Sequence, residues 1–265
     1  MTEDDLIFAG RLADAAGAEI RRFFRQSFDI DAKGDESPVT AADRAAELAM
    51  REIIDRERAA DGIIGEEFGT AREGARRQWV LDPIDGTVSF AAGRPIFGTL
   101  IALLEDGWPV LGIIDQPIAR ERWVGRTGRP TIFNGQPVES RRCRELKDAV
   151  LATTSPNHFS NDDGHKFMAL AGQTAHRRMV YGGDCYNYGL LASGHLDLVA
   201  ESGLQLYDFA ALVPIVEGAG GMMTDWAGEP LHAESGGDVL ALGDPARLED
   251  VLAVLGDEWH PGHEH

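Results

Sequence analysis

The segment Trp79-Val80-Leu81-Asp82-Pro83-Ile84-Asp85-Gly86-Thr87 sets two carboxylates three residues apart at the exit of a short apolar run. Pro83 stiffens the bend between them, and Gly86 lets the backbone turn sharply. Hard divalent cations such as Mg²⁺ are held by carboxylate, carbonyl and water oxygens. This bend offers Asp82, Asp85 and the Ile84 carbonyl. If a helix opens near Thr87, its unpaired backbone N–H groups would face a phosphate. Gly65-Glu66-Glu67 follows the apolar Ile63-Ile64 and puts another carboxylate at a strand end. Asp208 stands at the start of an apolar helix, and Asp43 closes Thr40-Ala41-Ala42-Asp43. Taken singly, each has an ordinary structural reading: an Asp-Pro turn, a solvated Glu pair, an N-cap and a capping box.

Elements of both periods must position these groups. Leu6, Ala13, Ile20 and Phe24 recur at helical spacing and predict a helix from Asp4 to Gln26. A loop from Lys33 to Pro38 leads to a second helix from Thr40 to about Arg58. Strands are expected at Gln78–Asp82, Gly98–Leu104, Val110–Asp115 and Glu121–Val124, with turns at Asp106-Gly107 and Asn134-Gly135. The pattern then alternates. Val150–Thr153, Arg178–Tyr181, Leu196–Ala200 and Met222–Asp225 read as strands. Asp162–Ala175, a segment ending at Ser193 and Asp208–Ala219 read as helices between them. The expected fold is an α+β and α/β layered sandwich (αβαβα). Its sheet would be antiparallel in the N-terminal half and mostly of parallel type in the C-terminal half. The boundary falls within 140–147, giving halves 1–143 and 144–265 that share a site at their interface.

The chain has 265 residues, room for one large domain or two closely packed halves, and carries a formal charge of −19. So acidic a surface disfavours nucleic acid and anionic lipid as partners. The acidic opening Met-Thr-Glu-Asp-Asp lacks the order of a secretion signal, and no apolar run reaches membrane-spanning length. Cys143 and Cys185 form no C-x-x-C pair, which suits buried thiols in a reducing cytoplasm. The His-rich end, Trp259 to His265, reads as a frayed terminus.

Gly65-Glu66-Glu67, Asp82-Pro83-Ile84-Asp85-Gly86-Thr87, Val39-Thr40-Ala41-Ala42-Asp43 and Tyr207-Asp208 occur in one chain. With Glu217-Gly218-Ala219-Gly220-Gly221 downstream, this set resembles the inositol monophosphatase superfamily of lithium-sensitive, Mg²⁺-dependent phosphatases. The resemblance runs from residue 6 to 255. Within it, the histidinol-phosphate phosphatase branch is more similar, through Gly93–Leu103, Leu111–Pro117, Glu121-Arg122-Trp123, Thr153-Thr154-Ser155-Pro156, Asp184-Cys185-Tyr186 and Val199–Leu204. Tyr207, where many members carry Trp, also fits that branch.

The resemblance implies a phosphomonoesterase acting on a small phosphorylated metabolite, L-histidinol phosphate first among them, as a homodimer. Glu66, Asp82, the Ile84 carbonyl, Asp85 and Asp208 would hold about two to three Mg²⁺ ions. Thr87 and Asp43 would orient the attacking water and Glu66 would position or deprotonate it. Gly86 and Thr87 would hold phosphate oxygens, with Asp184, Glu201 and Asp208 on the substrate. Histidinol carries an ammonium and an imidazole, for which acidic contacts are the physical expectation.

Several other classes are less compatible. A haloacid-dehalogenase phosphatase needs Asp-x-Asp, whereas the spacing here is Asp-x-x-Asp. No G-x-G-x-x-G follows the first strand and there is no Walker A loop. An inositol or nucleotide phosphatase of the same fold stays open. A non-catalytic regulator of this fold is disfavoured, because all four metal-type carboxylates are present.

Overall fold

The computed structural model describes residues 2–26 and 38–256. The chain starts with helices α1 (Glu3–Phe23) and α2 (Pro38–Glu57), then strands β1 (Gly62–Gly65), β2 (Gly69–Ala71) and β3 (Arg77–Asp85). The short helix α3 (Thr87–Ala91) precedes β4 (Gly98–Glu105), β5 (Trp108–Gln116), β6 (Glu121–Arg126), β7 (Arg129–Phe133) and β8 (Gln136–Pro137). Next come β9 (Leu151–Thr153), α4 (Asn161–Gln173), β10 (Val180–Tyr181), α5 (Asp184–Ala192), β11 (Leu198–Glu201), α6 (Leu206–Phe209) and α7 (Leu212–Gly218). The last elements are β12 (Met222–Thr224), β13 (Val239–Leu242) and α8 (Leu248–Gly256).

Two sheets result, ordered β2-β1-β3-β4-β5-β6-β7-β8 and β10-β9-β11-β13-β12. In the first, β1 and β3 run parallel and the other pairs are antiparallel. Asp106-Gly107 and Asn134-Gly135 make the tight hairpins expected of them, all four residues having positive φ. Alternate residues of each strand enter different layers. Trp79, Leu81, Ile101 and Leu103 join Leu12 and Ile20 of α1 and Met50 and Ile54 of α2 in one core. Val80, Leu100 and Ala102 join α5, α7 and the inner face of the second sheet. Leu198, Ala200, Leu240 and Leu242 pack outward against Phe167 of α4 and Val251 of α8. The layers are therefore helix, sheet, helix, sheet, helix. Gly112 and Gly125, paired across β5 and β6, seat α7: a Cβ there would lie 1.9 Å from the Ala211 carbonyl oxygen or 2.3 Å from that of Pro214.

The second sheet departs from its expected form. β10-β9-β11 is parallel, but β11-β13-β12 is antiparallel, so the sheet is mixed. β13 inserts between β11 and β12 after a long return from residue 225 to 238. The four apolar residues of β13 carry no periodic signal of their own. Helix α2 already begins at Pro38, a favoured first helical residue. Thr40–Asp43 is thus interior to the helix and not its cap. The helix expected over Asp208–Ala219 is two, α6 and α7, because Pro214 has no N–H to give the Ala210 carbonyl. The strand expected over Arg178–Tyr181 shrinks to β10, preceded by a 3₁₀ turn. Most of the Lys33–Pro38 loop and the His-rich end lie outside the described residues. Both cysteines are buried and free, and no described helix is long and apolar enough to cross a membrane.

Candidate active site

Strand β3 carries Asp82 and Asp85 and sits between β1 and β4. In a regular strand, residues three apart point to opposite faces. Here Asp82 pairs with Leu100 and Asp85 with Gly98, so β3 holds one extra residue between them. The Thr99 hydroxyl donates to the Pro83 carbonyl at 2.8 Å inside this bulge. The bulge buries the Ile84 side chain toward α1 and α2, and brings Asp85 onto the side of Asp82.

One carboxylate oxygen from each of Asp82, Asp85 and Asp208 lies within 4.8 Å of the others. Asp43, Glu66 and Asp82 form a second such trio, with Asp82 common to both. Glu66 leaves β1 with its N–H on the Leu81 carbonyl at 3.2 Å. Asp208 is fixed at the start of α6, where one carboxylate oxygen accepts the Gln205 N–H at 2.6 Å. Burial raises the pKa of every member. Asp82 and Asp85 stand well above the carboxylate range, pushed further by Asp85 and by Asp184 respectively. Asp43, buried beside Glu66, reaches about 8, and Asp208 about 6. Oδ1 of Asp43 and Oδ1 of Asp82 are buried without a hydrogen-bond partner among the described residues. Such oxygens need a proton or a cation.

Glu47 was not singled out in the sequence, although it lies one helical turn beyond Asp43 on the same face of α2. It is fully buried and accepts the N–H groups of Glu67 at 2.8 Å and Phe68 at 3.2 Å, and Arg51 Nε at 2.7 Å. A Cβ at Gly65 would fall 2.0 Å from its Oε1, which makes that glycine obligatory. Glu47→Ala should therefore destabilise the fold by about 2–3 kcal/mol, since two part-buried N–H groups and the Arg51 guanidinium lose their acceptor. Urea unfolding checks this; a loss under about 0.5 kcal/mol would mean water replaces the carboxylate.

The opposite wall comes from the second half of the chain. Gly182 and Gly183 turn with positive φ into Asp184, whose own φ is 43°. The Cys185 N–H then donates to Asp85 Oδ2 at 2.6 Å. Gly86, at φ 92°, lies so close that a Cβ would sit 2.8 Å from Asp184 Oδ2. Burial raises the Asp184 pKa, against the pull of His158, Ser89 and Arg94. Glu201 ends β11 and is buried; it accepts the Thr154 N–H at 2.8 Å, the Thr154 hydroxyl, and the Tyr188 hydroxyl at 3.0 Å. Burial lifts its pKa to about 7.

Glu66, Asp82, Ile84, Asp85, Gly86, Thr87, Asp184, Glu201 and Asp208 all line one cleft of about 410 Å³. Asp43 stands behind it, joined through Glu66 and Asp82. Thr154 and His158 also line the cleft, and Tyr188 supports Glu201 from beneath. Of these three, only Thr154 stood in a segment that the sequence marked out.

Two layered sheets closing on a carboxylate-lined cleft define a known class. Over residues 2–257 the chain matches the inositol monophosphatase family, and it belongs to that family. It is a phosphoric monoester hydrolase. The chain is 49% identical over 258 residues to the Arabidopsis thaliana bifunctional phosphatase IMPL2, chloroplastic, covering 94% of this chain and 73% of that protein. It is 38% identical to a histidinol-phosphatase of Mycobacterium tuberculosis, covering 91% and 94% of the two chains. A solved inositol monophosphatase from Zymomonas mobilis superposes with a TM-score of 0.90 at 56% identity, covering 96% and 98%.

Proposed function

We propose that the chain hydrolyses L-histidinol phosphate to L-histidinol and phosphate with Mg²⁺ in the cleft, as a homodimer in the cytoplasm. The observation that carries this is the acid left over. Glu201 and Asp184 border the cleft outside the two cation-sized trios, and both have pKa values raised by burial. A cationic leaving group would relieve them.

The carboxylate trios fit a hard cation, since Asp43 Oδ1 and Asp82 Oδ1 lack any other partner among the described residues. Glu66, Asp82, Asp85, Asp208 and the Ile84 carbonyl would hold it. When bound, Mg²⁺ supplies Lewis-acid polarisation of the phosphoryl group and lowers the pKa of water. Thr87 and Asp43 hold the attacking water, and Glu66 takes its proton. The N–H groups of Gly86 and Thr87 hold phosphoryl oxygens where α3 opens. Asp184 and Glu201 hold the ammonium and imidazole of the alcohol. No side chain need form a covalent intermediate.

Glu201→Gln keeps an acceptor for Thr154 and removes the charge. It should raise KM for histidinol phosphate about tenfold, and KM for p-nitrophenyl phosphate less than about twofold. Equal effects on both would remove Glu201 from amine recognition. A second reading, an inositol phosphate substrate, is favoured by the hydroxyls of Thr154, Ser155 and Ser202 on the same cleft. A phosphate-release panel with histidinol phosphate, inositol 1-phosphate and adenosine 3′,5′-bisphosphate separates the readings by kcat/KM. A clear preference for either of the latter two overturns the histidinol assignment.

A further inference from the structure

The segment from Ser140 to Arg144 passes the starts of β9 and β11, and Arg141 and Cys143 are pinned there by hydrogen bonds. Arg141 Nε donates to Asp197 Oδ1 at 2.7 Å, and Asp197, 4% exposed, also accepts the Val150 N–H at 2.7 Å. The Cys143 N–H donates to Asp244 Oδ2 at 3.0 Å, and the side chain is buried. Arg142 and Arg144 are both exposed and border the same pocket. Arg178 joins them, held to the Asp148 carbonyl at 3.4 Å. Among the described residues, none of these three has an acidic partner within ion-pair distance.

Together they border a pocket of about 450 Å³. Its lining includes four arginines and two carboxylates, Asp148 and the Asp197 already engaged by Arg141. The lining residues carry a formal excess of two positive charges, with the Asp244 carboxylate behind them on the Cys143 N–H, in a chain whose formal charge is −19. The pocket stands at the starts of β9 and β11, whereas Thr154 and Glu201 at their far ends line the catalytic cleft. That separation is roughly 13 Å of strand.

We propose that Arg142, Arg144 and Arg178 form a second anion site, distinct from the catalytic cleft, that takes a phosphate dianion. Guanidinium forks match phosphate oxygens two at a time, and a dianion balances the excess charge of the pocket. Hydrolysis releases this same ion, so the site meets it whenever the enzyme turns over.

The test is calorimetric titration of the full chain with inorganic phosphate, in chelator and about 0.15 M chloride. Without a cation the cleft lacks the positive charge that would draw phosphate in, and the arginine variants report whether the binding belongs to the pocket. The wild type should show one saturable site. Arg142→Gln and Arg144→Gln should each weaken it about tenfold, and Arg144→Lys by less, because charge persists while the fork is lost. The double variant R142Q/R144Q should keep parental kcat with Mg²⁺, which shows that it is folded. Arg129→Gln, at an exposed arginine on β7, should change nothing. Glycerol 3-phosphate, stable without metal, distinguishes the source. Binding equal to that of inorganic phosphate assigns the terminal phosphoryl group of a metabolite, and much weaker binding assigns the free ion; either supports the site. Absence of saturable binding, unchanged affinity in R142Q/R144Q, or equal weakening by R129Q overturns it.

Discussion

Asp85→Asn should lower kcat by at least about 10³-fold at saturating Mg²⁺ while leaving the protein folded. The substitution is nearly isosteric, and the Asn carbonyl can still accept the Cys185 N–H that Asp85 Oδ2 holds at 2.6 Å. The tie between the two halves of the chain survives. What is lost is one negative charge among Asp82, Asp208 and Asp184. In the metal-free protein that loss is a relief, because Asp85 is buried and repelled by Asp184 and Asp208. The melting midpoint in chelator should thus equal or exceed the parental one, while activity collapses. Opposite movements of these two readouts mark a residue kept for charge and not for packing. Near-parental kcat would remove Asp85 from the cation site.

Raising the pH from 5 to 8 in chelator should lower the melting midpoint, by more than about 4 °C. Asp208, Glu201 and Asp43 have folded-state pKa values of about 6, 7 and 8, raised first by burial in each case. Their unfolded values lie near 4, so across this window the folded chain binds more protons than the unfolded one. Stability is full at low pH and is lost as each folded pKa is passed. Glu57, held at about 2 by Arg11 hydrogen bonds, is ionised throughout and adds no slope. Saturating Mg²⁺ should flatten or reverse the trend, stabilise most at pH 8, and release protons on binding at pH 7. Calorimetric scans at several pH values, with and without Mg²⁺, check all three. A chelator profile that is level or rises with pH contradicts the like-charge cluster.

The turn at Asp82–Thr87 was legible in the sequence because its chemistry is local. Proline and glycine at a strand exit say bend without further context, whereas the reading of the two carboxylates as cation ligands needs Glu66 and Asp208 beside them. The bulge that puts Asp85 beside Asp82 was not legible, since it depends on Thr99 of the next strand. Asp43 was found as a candidate, yet its local context suggested a cap, and only the start of α2 at Pro38 places it inside the helix. Glu47 escaped because a buried glutamate whose task is to accept loop N–H groups looks, in sequence, like any polar helix residue. The layering followed from the switch between strand runs and alternation. The antiparallel entry of β13 did not, because strand order within a sheet is decided by long-range partners that no local window contains.

The bulged strand has a bearing on how enzymes of this build can diversify. The spacing of Asp82 and Asp85 is set by main-chain pairing within the larger sheet, so it tolerates little variation. Glu201 and the residues around Ser155 and Ser202 belong to the smaller sheet and its loops, which share no ladder with β3. On the proposed function, mutation there would retune which alcohol is accepted while the carboxylates of β3 stay untouched. A single scaffold can in this way drift between metabolites by remodelling one side of a cleft.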